Sequence, residues 1–122
     1  MKKFNALGLA LVLASTAFFS QIAAAHASLK SSSPAPGAAV EVAPKEISLT
    51  FNEKVEEAFS AVTVKDAAGK DVATAKAKVD ATDGVTLHLE VPALSSGAYS
   101  VQWVAVSHDG HRRTGDFKFT VR

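Results

Sequence analysis

The 122-residue chain carries 13 Lys and Arg against 12 Asp and Glu, and it has no cysteine. Thiolate metal sites, dithiol redox chemistry, cysteine nucleophiles and disulfides are therefore excluded. The charges are near balance and form no Lys/Arg run or basic amphipathic helix, so a nucleic-acid surface is excluded as well.

The chain opens with Lys2 and Lys3, then an apolar run from Ala6 to Phe19, then small residues at Ala23 and Ala25. This is the three-part pattern of a secretory signal. A membrane-spanning helix needs roughly 20 apolar residues, which this run does not supply. The expected divisions are a signal over residues 1–25 and a single domain over residues 26–122. Cleavage after Ala25 makes His26 the first residue; the overlapping Ala25-His26-Ala27 also fits A-x-A, and a cut there leaves Ser28 first. Losing Lys2 and Lys3 leaves 11 basic side chains against 12 acidic. The only methionine, Met1, leaves with the signal, so the mature chain holds no sulfur.

The mature part reads as all-β. A first strand is expected near Ala27 to Ser32. "SSSPAPGAAV" then reads as a loop, because two prolines and a glycine within four residues do not sit inside a sheet. "EISLTFN" alternates Ile47, Leu49 and Phe51 with Ser48, Thr50 and Asn52, and "EKVEEAF" suggests a helical turn. "SAVTVKD" puts Val62 and Val64 on one face, "AAGK" offers a turn at Gly69, and a short strand is expected near Asp71 to Ala75. "KVDATDG" reads as a polar connection. "VTLHLEV" alternates Val85, Leu87, Leu89 and Val91 against Thr86, His88 and Glu90, which makes His88 an exposed surface residue. "AYSVQWVAVS" sets Tyr99, Val101 and Trp103 on one side, and "DFKFTV" closes with Phe117, Phe119 and Val121. Period-two alternation bounded by Gly, Pro and Asp marks strands with one face in a core. The count and spacing predict a seven-stranded antiparallel Greek-key sandwich or barrel.

Chemistry concentrates in "VSHDGHRRTGDF", between the last two strands, with His108, Asp109 and His111 beside Gly110. Residues two apart in an extended segment share a side, so Asp109 and His111 can face one ion. As a first residue, His26 adds its α-amino nitrogen and its imidazole Nδ1, which close a chelate ring that an internal histidine cannot form. The amine has an ordinary pKa of about 7.7–8, so a metal must displace a proton from it near neutral pH. With the His111 imidazole and the Asp109 carboxylate, the set becomes three nitrogens and one oxygen. Nitrogen and oxygen donors in a tetragonal array suit Cu(II), and the lack of sulfur argues against a dedicated Cu(I) site.

These features resemble the CopC family of periplasmic copper-binding proteins, including its YobA-like members. The resemblance runs through "HASL", "SPAPGAAV", "ISLTFNEKVE", "SGAYSVQWVAVSHDGH" and "GDFKFTV". It implies a cupredoxin-like or immunoglobulin-like seven-stranded fold, one Cu(II) per chain on His26, Asp109 and His111, and delivery to a CopD-like inner-membrane protein. Glu53 matches an acidic position near the family's copper and is expected to support the ligands. Two departures stand out. The methionine-rich Cu(I) loop of some members has no counterpart here. His108 is an additional imidazole directly before the D-G-H, able to compete for the metal or to point away. The reading is thus a monomeric periplasmic copper-binding protein and not an enzyme. Two alternatives are a histidine-brace copper monooxygenase, which needs an exposed aromatic substrate face, and a metal-free structural sandwich.

Overall fold

The structure is a computed structural model that describes residues 28–73 and 75–122. The export signal, both cleavage positions and His26 lie outside the described residues.

Alternating apolar residues build two four-stranded sheets. One holds β1 (Leu29–Ser33), β3 (Glu46–Phe51), β6 (Thr86–Glu90) and β5 (Lys78–Val79), in the order β1-β3-β6-β5. The other holds β2 (Ala39–Val40), β8 (Arg112–Val121), β7 (Gly97–Val106) and β4 (Ala61–Lys65), in the order β2-β8-β7-β4. All pairs are antiparallel except β2 with β8, which is parallel. Two hairpins, β5–β6 and β7–β8, stay within a sheet; the other connections cross between sheets. This is the two-sheet sandwich expected from the alternation, but with eight described strands where seven were expected and with one parallel pair, β2–β8, where an all-antiparallel fold was expected, because the two-residue β2 and β5 fall in stretches read as connections.

The minor strands differ from the sequence reading. The strand expected near Asp71 to Ala75 is reduced to one bridge between Lys65 and Asp71. Two-residue strands appear instead inside stretches read as connections. In the proline loop the turn ends at Gly37, whose N–H donates to Lys118 O at 2.7 Å, and Ala39 and Val40 are then free to pair with β8. The expected helical turn is a single 3-10 turn over Glu57–Phe59.

The inward faces meet in one core. Ile47, Leu49, Phe51, Leu87 and Leu89 come from the first sheet; Val64, Val101, Trp103, Phe117 and Phe119 come from the second. Phe51 and Trp103 join the layers edge to face, with centroids 5.1 Å apart. Trp103 lies directly on Gly115, its partner across β7–β8, where a Cβ would fall 2.4 Å from Trp103 Cζ2. Trp103 is therefore a core residue, and it requires a glycine opposite. The inward period of β7 runs Tyr99, Val101, Trp103, Ala105 and then one step further, to Ser107. A hydroxyl thus takes the last core position beneath the loop that carries the chemistry.

Candidate metal centre

The β7–β8 hairpin is closed by Ser107 N–H donating to His111 O at 2.9 Å, so His108, Asp109 and Gly110 form a three-residue loop. Gly110 donates back to Ser107 O at 2.9 Å and has φ +91°. A turn followed by a left-handed glycine is the usual geometry for a loop of this length, and a side chain at that φ is strained. Asp109 and His111 do come together, with Asp109 Oδ1 3.0 Å from His111 Nδ1. They converge through this turn, however, and not because they share one face of an extended strand as the spacing alone suggested.

Asp109 is the most constrained ionisable group of the loop. Its Oδ1 accepts from the buried Ser107 hydroxyl and from the His111 N–H at 3.3 Å, as well as facing the His111 ring. No described residue donates to its Oδ2. These contacts hold the Asp109 carboxyl well below the usual carboxylate range, the Ser107 hydrogen bond contributing most and the His111 ring next. Asp109 is an anion throughout the neutral and mildly acidic range. Ser107, missed from the sequence, does much of this, and its only sequence signal was its place in the inward period of β7.

A second segment lies against this loop. Val55 bridges Ser107, Glu56 N–H donates to Val106 O at 2.7 Å, and His108 N–H donates to Lys54 O at 3.3 Å. The same segment holds the start of the described chain: Ser28 N–H donates to Asn52 Oδ1 at 2.7 Å, and Asn52 N–H donates to Ser28 O at 3.1 Å. One end of the sandwich thus collects Ser28, Asn52 to Glu56, and Ser107 to His111. Glu53 stands half-buried in this cluster and makes no hydrogen bond or ion pair with a described residue. His108 turns to the carboxylate of Glu56, Nε2 to Oε2 3.1 Å. Among the described residues, no three His, Asp or Glu side chains converge on a metal position. The loop offers Asp109 and His111; the remaining donors of the expected set belong to His26.

His88 is not the plain surface residue expected. It is half-buried between two carboxylates, Glu46 on Nδ1 and Asp80 on Nε2, the latter at 3.0 Å. Burial lowers its pKa, but the hydrogen bonds to Asp80 and Glu46 outweigh burial and raise it. The two carboxylates sit on opposite ring nitrogens, so they grip the imidazole rather than surround a common ion.

Residues 29–122 match the CopC domain. Protein YobA of Escherichia coli (strain K12) is 34% identical over 119 residues, 97% of this chain and 96% of that protein. The crystal structure of CopC from Methylosinus trichosporium OB3b superposes with a TM-score of 0.75 at 36% identity, covering 79% of this chain and 93% of that one. PcoC from Escherichia coli, described as a methionine-rich copper resistance protein, superposes with a TM-score of 0.72 at 34% identity, covering 80% of this chain and 100% of that one. This chain has Met1 alone, so it departs from PcoC in that respect. A domain match across the sandwich, a relative alike over nearly the whole length and two solved structures of the same architecture agree: the chain belongs to the CopC family.

Proposed function

We propose that this protein is exported to the periplasm and holds one Cu(II) per chain at the end of the sandwich where Ser28, Asn52 and the Ser107–His111 loop meet. The ligands are the α-amine and imidazole of His26, the imidazole of His111 and a carboxylate oxygen of Asp109. One observation carries this reading. Hydrogen bonds between Ser28 and Asn52 hold Ser28 beside the segment that bridges Ser107. Two residues of chain span at most about 7 Å, so the position of Ser28 supports a ligand at position 26 belonging to this end of the molecule.

Each residue has a distinct task. Ser107 and the His111 N–H fix Asp109 Oδ1, which leaves Oδ2 as the oxygen for a cation. The anionic Asp109 offsets one of the two cupric charges. The amine of His26 must lose a proton on binding, so uptake weakens as pH falls below its pKa. Copper, once bound, is cargo; the protein buffers it and passes it to a CopD-like membrane partner as a monomer. The described surface does not favour a polysaccharide-oxidising enzyme. Phe51, Tyr99, Trp103, Phe117 and Phe119 are buried, which leaves Phe59 as the one exposed aromatic among the described residues.

Titration of the processed protein with Cu(II), followed by visible absorption and a competing chelator, tests the reading. The native protein should saturate tightly at one equivalent. The Asp109→Ala, His111→Ala double variant should lose tight binding while keeping its fold. Tight binding that survives in the double variant would refute the assignment.

A further inference from the structure

The loop holds two imidazoles three residues apart, His108 directly before Asp109 and His111 two residues after it. The structure sends them to different carboxylates. The His111 ring faces Asp109 inside the loop at 3.0 Å, whereas the His108 ring faces Glu56 across on the neighbouring segment at 3.1 Å. The His108 backbone is drawn the same way, by its hydrogen bond to Lys54 O. The backbone of Glu56 is fixed, because its own N–H is bonded to Val106 O at 2.7 Å and the adjoining Val55 is buried and bridged to Ser107.

We propose that Glu56 holds His108 out of the copper centre and so decides which imidazoles the metal takes. The proposal rests on the copper site argued above. An imidazole nitrogen is a better Cu(II) donor than a carboxylate oxygen. His108 is bonded directly to Asp109 in the chain and exposed at the loop tip. Left untied, it would take the position of Asp109 or add a nitrogen to the set. Tied to Glu56, its Nε2 stays 3.1 Å from a carboxylate oxygen and its backbone stays bonded to Lys54 O. Glu56 is thus a positioning residue that acts through His108 and does not touch the metal.

The test counts coordinated imidazoles by pulsed electron paramagnetic resonance on Cu(II)-loaded, processed protein. The native protein and His108→Ala should give the same spectrum with two imidazoles. Glu56→Ala should give a different spectrum with an added imidazole, and the Glu56→Ala, His108→Ala double variant should return to the native pattern. That reversal separates capture of His108 from a general loosening of the loop. A native spectrum that changes in His108→Ala would overturn the proposal while leaving the copper site standing, as would a Glu56→Ala spectrum identical to the native one. A native protein without a nitrogen-rich cupric signal would overturn both.

Discussion

Ser107 is wholly buried, yet its hydroxyl is directed at a loop carboxylate instead of at solvent. Removing it separates orientation of a ligand from ligation itself. Ser107→Ala should weaken Cu(II) binding by about 10–100-fold, the usual effect of deleting a group that orients a metal ligand. It should cost only about 1 kcal/mol in urea unfolding, the net value of one hydrogen bond. Unchanged affinity in a chelator competition would show that Asp109 needs no such support. At this scale the D-G-H stretch was legible in the sequence, because Asp, His and a glycine that tolerates positive φ announce a tight polar turn. The way Asp109 and His111 meet was not. Period-two reasoning assumes an extended chain, whereas closure of the loop by Ser107 and His111 brings the side chains together. The partners of His108 and His88 were also hidden, since Glu56 and Glu46 lie far from them in sequence; Glu46 meets His88 through strand register, and Glu56 meets His108 through the bridge between Val55 and Ser107.

Among the elements, the long strands were legible and the short ones were not. Ile47, Leu49 and Phe51, or Phe117, Phe119 and Val121, show the alternation plainly; β2 and β5, two residues each, are too short to show any period. Register has consequences that composition hides. Gly115 faces Trp103, so Gly115→Ala forces the indole off its seat and should lower stability by about 1–3 kcal/mol, the range for overpacking a filled core. Thermal unfolding checks this, and an unchanged midpoint would mean that the ring shifts without cost. Register also places His88 opposite Ser48 on β3 and Lys78 on β5, where Glu46 and Asp80 take its two nitrogens. Its pKa is raised in the folded state from an ordinary 6.5. The protonated ring therefore binds both carboxylates, and this stabilisation is complete below about pH 6.5 and is lost as pH rises through the folded value. Urea midpoints of the native protein should fall across that interval, and His88→Gln should remove this part of the slope. A slope that persists unchanged in His88→Gln would exclude the clasp.

For the molecule as a whole, the fold brings together pieces that are distant in the chain. β1 enters, β3 leaves and β7 turns into β8 at one end of the sandwich, so Ser28, the Asn52–Glu56 segment and the D-G-H loop become neighbours. The two-layer architecture was legible from the number and spacing of apolar alternations. The meeting of these three segments was not, because it depends on strand order, which no local pattern encodes. The central claim is that a proteolytically created amine at His26 and the Asp109–His111 loop clasp one cupric ion. Electron paramagnetic resonance of the processed protein with one equivalent of Cu(II), compared with a form carrying one extra alanine ahead of His26, tests it most directly. The account expects a nitrogen-rich tetragonal signal in the native protein and its replacement by a weaker, altered centre in the extended form. Identical spectra and equal affinity in the two proteins would contradict it.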